Sequence, residues 1–353
     1  LAGVWLATAN LGAGAQSPPA GPFFDLVTQE AGLSSNALRC AIQDRRGFLW
    51  FGTEDGLNRY DGVRFTVYRH RPNDPTSLAG NAVVSLYEDR AGTLWAGTSN
   101  AGLCRYNPMT ETFDTRRAEA LRVSERRFAA IRGVTEDADG KLWLATEVGL
   151  VGFDRRTGEF TRHTPPESEH EKFSALACDA QGDLWLRATD ALWLFERASR
   201  RFTLIERFPG ERLPRVFGDG GLLMQPTAGR VCFGAGVGVS VVDVASRRVV
   251  ARHAIAAGAD DADAGRVSRL HPTENENVVW VGTHDGGLQR LNVQTGAATR
   301  LTHDARNPES LAGNSVACVL RDRSGVLWVG DAVYGLSRFS SASHRFRLYT
   351  HKP

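Results

Sequence analysis

The chain has 353 residues, of which 42 are basic and 40 acidic, for a formal net charge of +2. Its 42% hydrophobic and 23% charged content is that of a soluble globular protein, and the charge balance offers no footprint for nucleic acid or for an anionic membrane surface. Length alone suggests about two or three domains, but an internal repeat absorbs nearly all of it into one.

Residues 1–21 read as a leader. Leu1 to Leu11 are mostly apolar and small, Ala13-Gly14-Ala15 gives an A-x-A pattern before Gln16, and Ser17-Pro18-Pro19 follows. This is the tail of a secretory signal peptide, or else a disordered Ala/Gly-rich N-terminus. The stretch is too short to span a bilayer. No other segment reaches spanning length, so any membrane anchor is expected outside this chain.

Residues 22–353 carry the repeat. Asp44-Arg45-Arg46-Gly47-Phe48-Leu49-Trp50-Phe51-Gly52-Thr53 is followed by Asp89-Arg90-Ala91-Gly92-Thr93-Leu94-Trp95-Ala96-Gly97-Thr98. The frame returns at Asp137…Trp143, Asp179…Trp185 and Asp322…Trp328; a weaker copy ends at Trp280-Val281-Gly282-Thr283, and a degenerate one places Cys232 where the others have Trp. Successive gaps from Trp50 are 45, 48, 42, 47, 48 and 48 residues. A period in the forties with one Trp per unit describes a four-stranded propeller blade. The expected fold is therefore all-β, a seven-bladed β-propeller of four-stranded antiparallel blades.

Each part of the unit has a local cause. Asp and Gly three apart make a tight turn, and Gly supplies the positive φ. Leu-Trp-x-Gly-Thr forms the second strand, with Trp filling the space between blades and Gly admitting a close backbone. A Gly-Leu pair opens the third strand, as at Gly56-Leu57 and Gly149-Leu150, and an aromatic strand closes the blade, as at Phe65…Tyr68, Phe113, Phe160 and Phe202. The repeated Asp residues read as turn formers rather than acids. There are seven inner strands but eight candidates for outer ones, because both Phe23 to Val27 and Arg345 to Tyr349 fit. Closure by the N-terminal strand leaves the Phe346 segment leading onward, and the reverse assignment is equally open. The five widely spaced cysteines are expected to be free and buried, Cys40 and Cys318 included, since bridging requires Cα atoms within about 7 Å.

The run from Gly32-Leu33-Ser34-Ser35-Asn36 through Asp44…Thr53-Glu54-Asp55-Gly56-Leu57-Asn58-Arg59-Tyr60-Asp61-Gly62 closely resembles the two-component regulator propeller repeat. So do Asn73 to Asn81 and their echo Asn307 to Asn314. The likeness is specific in the first two and last two blades and weakens around Trp185 and Cys232. It implies the extracytoplasmic, periplasmic sensor region of a bacterial receptor, anchored in the inner membrane by a helix outside this fragment. Such receptors relay to a cytoplasmic histidine kinase, often a hybrid one, or to a diguanylate cyclase.

No catalytic motif, cofactor motif or metal-ligand spacing stands out. The loops between second and third strands share a face with the connections between blades. That face gathers Glu54, Asp55, Asn100, Glu147, His284, Asp285 and Asp331, and the connections add Asn36, Asn81 and Asn314. Such carboxylates and amides suit a polyhydroxylated ligand, and the resemblance implies glycan sensing; the plain alternative is that each Asn only caps its turn. The expected partners are an oligosaccharide or other small ligand, a second copy of the chain, and downstream domains of the same receptor. Two other functions stay open: a propeller-fold polysaccharide hydrolase or lyase, and a structural dimerisation scaffold.

Overall fold

The computed structural model describes residues 23–117, 121–124, 127–168, 171–208, 222–225, 229–255 and 265–339. The expected leader and the Arg345 to Tyr349 strand lie outside them. The described residues form seven four-stranded antiparallel sheets and a small extra hairpin. Blade 1 comprises Leu38–Gln43, Leu49–Thr53, Gly56–Tyr60 and Phe65–Tyr68, paired in that order. Blades 2, 3, 4, 5 and 6 repeat the pattern from inner strands Val83–Glu88, Ile131–Glu136, Phe173–Cys178, Leu222–Gln225 and Val267–Pro272. The hairpin Arg122–Ser124 with Arg127–Phe128 sits in the connection between blades 2 and 3.

The ring closes with the N-terminal strand. Asp25–Val27 pairs antiparallel with Leu336–Phe339, the third strand of blade 7, in the register Asp25↔Arg338, Leu26↔Ser337 and Val27↔Leu336. The last sheet thus draws its outer strand from the opposite end of the chain, which removes the exposed edge an open stack would leave. A second link closes the seam near the axis, where the Arg323 N–H donates to Gln43 Oε1 at 2.8 Å.

The tryptophans are equivalent by register. Trp50, Trp95, Trp143, Trp185, Trp280 and Trp328 each pair with the fifth residue of a six-residue inner strand: Ile42, Tyr87, Thr135, Ala177, His271 and Leu320. Five of them are buried, and Trp280 is half-buried. In those same five blades the indole N–H donates to the turn aspartate six residues earlier: Trp50 to Asp44, Trp95 to Asp89, Trp143 to Asp137 and Trp328 to Asp322 at 2.8 Å, and Trp185 to Asp179 at 3.0 Å. The other carboxylate oxygen accepts a backbone N–H of the turn, as Phe48 N–H donates to Asp44 at 2.9 Å. One side chain therefore shapes the turn and satisfies the buried donor. Trp280 has Glu274 at that spacing and no such bond among the described residues.

The repeated glycine of the second strand is where the next blade presses in. A methyl added at Gly52 would lie 2.7 Å from Val83 O, and at Gly97 2.6 Å from Ile131 O; at Gly330 it would meet Cys318 Sγ and sit 2.8 Å from Leu38 Cβ, across the closing seam. Blade 4 breaks this rule with Arg187, which is only 1% exposed. Its guanidinium donates to Gly234 O of blade 5 at 2.9 Å and lies 4.6 Å from the Phe208 ring.

The cysteines are free thiols, as expected, but burial is not uniform. Cys104, Cys232 and Cys318 are buried, whereas Cys40 and Cys178 are half-buried. Both half-buried thiols sit on inner strands, but so does the buried Cys318. Desolvation pushes the Cys40 and Cys318 thiols up to about 12, the neighbouring Cys318 adding to the effect on Cys40.

Candidate functional site

The loops between second and third strands and the connections between blades meet on one face. Glu54 N–H donates to Ala37 O, Ser99 N–H to Ala82 O, His284 N–H to Arg266 O, and Ala332 N–H to Ser315 O. These bonds tie each loop to the chain entering its own blade. Gly56 N–H and Gly287 N–H then donate to Asn81 O and Asn314 O, both at 2.8 Å, tying each loop to the next blade.

The side chains of the three asparagines belong to that scaffold. Asn81 Oδ1 accepts the His70 N–H and Asn314 Oδ1 the His303 N–H, both at 2.7 Å, and Asn36 Oδ1 accepts the Gln29 N–H at 2.9 Å. Each fixes the exit of an outer strand. Asp331 is also structural: it is 2% exposed and accepts N–H bonds from Ser315, Val333 and Tyr334 at 3.0, 2.8 and 3.0 Å. Burial raises its carboxyl above the ordinary range, more than those bonds lower it.

The remaining members present groups toward solvent. Glu54 is exposed and ion-paired with Arg39 of the inner strand, a residue absent from the expected set. Asp55 accepts from Arg69 and from Asn81 Nδ2, each at 3.0 Å. Asp285 is exposed, holds a left-handed backbone with φ 58°, accepts from Ser315 Oγ at 2.5 Å, and lies 3.4 Å from His284 Nδ1. Asn100 is exposed, and its carbonyl accepts from Phe128 N–H at 3.0 Å. Glu147 accepts from Ala130 N–H at 3.2 Å. The structure thus brings the expected residues to one face, most of them already engaged with one another or with backbone.

Clefts open on the opposite face, among the Asp-turns and the turns between third and outer strands. A cleft of 710 Å³ lies between blades 3 and 4, lined by residues that include Lys141, Trp143, Arg156, His163, Arg197 and Arg200. Others of 450 and 350 Å³ lie between blades 2 and 3 and between blades 4 and 5. These volumes are in the range of small-molecule sites. Sequence reading passed over them because each is walled by residues from two repeats, some 40 to 60 positions apart. Among the described residues no group of three or more His, Cys, Asp or Glu converges as a metal site, and no helix is long and apolar enough to cross a membrane.

Seven four-stranded blades, closed by the first strand and wedged by tryptophan, define a β-propeller whose polar loops converge on one face. Three segments, 32–55, 77–100 and 310–332, match the two component regulator propeller family, and the chain carries that family's repeats. A 56-residue stretch is 45% identical to Histidine kinase P4 of Formosa agariphila, covering 16% of this chain and 4% of that protein. The fold is shared with the extracellular domain of the hybrid two component system BT3049 from B. thetaiotaomicron, with a TM-score of 0.73 and 21% identity over 91% of this chain and 42% of that one. The extracellular domain of the one component system BT4673 from the same organism gives 0.71 and 18%, over 90% and 40%. The chain spans less than half the length of each of these proteins.

Proposed function

We propose that this propeller is an extracytoplasmic, periplasmic ligand-sensing domain of a bacterial signal-transduction receptor. Its output would be a kinase or cyclase carried elsewhere in that receptor. The observation behind this reading is the two-component regulator repeat in blades 1, 2 and 7. The likeness to extracellular domains of two-component and one-component systems supports the same compartment.

The mechanism follows from the ring. Every blade is wedged by its neighbours, so a signal passes poorly through deformation of the sheet. A ligand acts instead by favouring one packing of the propeller against a second copy or a following domain. Only a difference in affinity between the two packings shifts the balance. The face of Glu54, Asp55, His284 and Asp285 is our candidate for that contact, with a polyhydroxylated ligand such as a glycan as the fitting chemistry. The test is a reporter-gene response of the intact receptor carrying Asp55→Ala or Asp285→Ala, beside a melting curve for each. The proposal expects a lost response with the fold retained. Normal signalling by both variants would move the contact to the opposite face.

A further inference from the structure

The internal symmetry of the ring provides a control for every wedge. Between blades 1 and 2, Arg59 stands opposite Trp50 in the sheet register and lies over its ring. It donates to Tyr106 Oη at 3.0 Å and pairs with Glu111 at 2.8 Å, while Tyr68 Oη sits 3.3 Å from Tyr106 Oη. Cation, carboxylate and hydroxyls complete one another.

Between blades 3 and 4 the same positions are filled differently. The residue opposite Trp143 is Gly152, and Lys141 takes up the vacant space: a Cβ at Gly152 would lie 2.8 Å from Lys141 Nζ, which sits 4.7 Å from the Trp143 ring. The counterpart of Tyr68, paired like it with the leucine that opens the third strand, is His163. Phe195 replaces Tyr106 opposite Phe202. The counterpart of Glu111 is Arg200; both hold left-handed backbone, with φ 54° and 55°, two residues before the aromatic of the outer strand. The carboxylate of one wedge has become a cation in the other.

This exchange leaves positive charge without a close ion pair, although Asp154 on the rim, its carboxyl lowered first by backbone N–H bonds, stands near enough to Arg156 and Lys141 for their charge to help lower it. Lys141, Arg156 and Arg200 make no ion pair within 4 Å among the described residues, while Arg197 is held by Asp137 and Asp139. His163 Nε2 is buried and has no hydrogen-bond partner among the described residues. Burial first, then Lys141 and Arg200, push the imidazole down to about 4. The wedge also opens into a cleft of 710 Å³, although Trp143 packs against Phe195 at 5.4 Å much as Trp50 packs against Tyr106 at 4.9 Å.

We propose that the cleft between blades 3 and 4 binds a compact anion, a carboxylate, sulfate or phosphate group, that takes the place Glu111 holds between blades 1 and 2. Lys141 and Arg200 supply the charge, Arg156 guards the rim, and His163 Nε2 donates from the tautomer or charged form that the anion favours. Asp154, on the same rim, orients hydroxyls if the anion is carried on a sugar. The site stands whether or not the face of Asp55 and Asp285 takes a ligand.

The test uses the folded chain with sodium sulfate, sodium phosphate, glucuronate and neutral glucose, at constant ionic strength held with chloride. Melting temperature and titration calorimetry read binding, and imidazole resonances read the His163 pKa. Binding is expected from the anions and not from glucose, with the His163 pKa rising by about one unit or more. Glucuronate binding where sulfate and phosphate fail assigns the anion to an acidic sugar; the reverse assigns it to an oxoanion or ester. Arg200→Glu rebuilds the pair of the first wedge, so it should abolish the anion response and raise the melting temperature of the free protein. Arg200→Gln should weaken binding by about tenfold or more without that rise. An unchanged response in both variants, a static His163, or glucose acting as well as glucuronate overturns the site.

Discussion

Replacing Asp89 by alanine should destabilise the propeller far more than its place in a surface turn suggests. The side chain is 1% exposed. Its Oδ1 accepts the Thr93 N–H at 2.8 Å, its Oδ2 accepts the Trp95 indole N–H at 2.8 Å, and Arg155 pairs with it from blade 3. Alanine leaves the indole donor buried beside a protein wall, which costs about 1–3 kcal/mol. Loss of the turn bond adds about 1 kcal/mol, while Arg155 keeps Glu136 as its second partner. The sum is about 2–4 kcal/mol. Urea unfolding followed by tryptophan fluorescence measures it, beside Trp95→Phe and the double variant. The cycle should show coupling of about 1 kcal/mol or more, because the second substitution removes the stranded donor. The penalty should also depend on pH. Burial raises the Asp89 carboxyl, but bonds from Trp95, Thr93 and Arg155 outweigh it and hold it below its ordinary value. A depressed folded pKa gives stability that is full above the unfolded value and lost as pH falls through the folded one, so wild type and variant should converge in strong acid. A change within about 0.5 kcal/mol of wild type at neutral pH, or additive single variants, would refute the role given to the Asp–Trp pair.

Gly330→Ala should cost about 1–3 kcal/mol by overpacking the closing seam against Leu38 and Cys318, and more than Gly47→Ala, which has φ +95°, nothing within 4 Å and a cost of about 1–2 kcal/mol from backbone strain alone; chemical denaturation reads the ranking. Deleting residues 1–28 removes the Asp25–Val27 strand and bares the edge of Leu336–Phe339, so size-exclusion chromatography should show self-association in place of a monodisperse ring. His271 and His163 are both pushed down to about 4, His271 by burial. Neutral histidine in the fold means stability that is complete above about 6.5 and falls as pH drops toward about 4. Melting curves across that window should show the loss, and His271→Gln should reduce it, leaving the share that belongs to His163.

The architecture was legible because the blade repeats its chemistry along the chain: six tryptophans, five turn aspartates and the Gly-Thr ending gave the period, and with it the number of blades. The outer strand of blade 7 was not legible, because Phe23 to Val27 and Arg345 to Tyr349 carry the same local pattern and only pairing distinguishes them. The Asp–Trp bond was visible in principle as an invariant spacing of six, yet turn chemistry alone already accounts for an aspartate there. The asparagines of the loop face illustrate a different limit. Residue type predicts equally well an amide that meets a ligand and one that meets the His70 or His303 N–H, and only the fold shows the latter bonds. The cleft between blades 3 and 4 escaped for a related reason. Arg200 is unremarkable until it is overlaid on Glu111, and that overlay requires the strands to be placed first.

The strand that closes the ring also sets how the molecule bears load. Because Asp25 faces Arg338 and Val27 faces Leu336, the chain enters Asp25–Val27 and leaves Leu336–Phe339 at the same end of the pair. A pull between the two flanking segments would peel the three-residue strand open one rung at a time, starting at Asp25, instead of shearing all its bonds together. Tension across both attachments would thus find a weak clasp in an otherwise stiff ring, while a pull through the C-terminal attachment alone would leave that clasp unloaded.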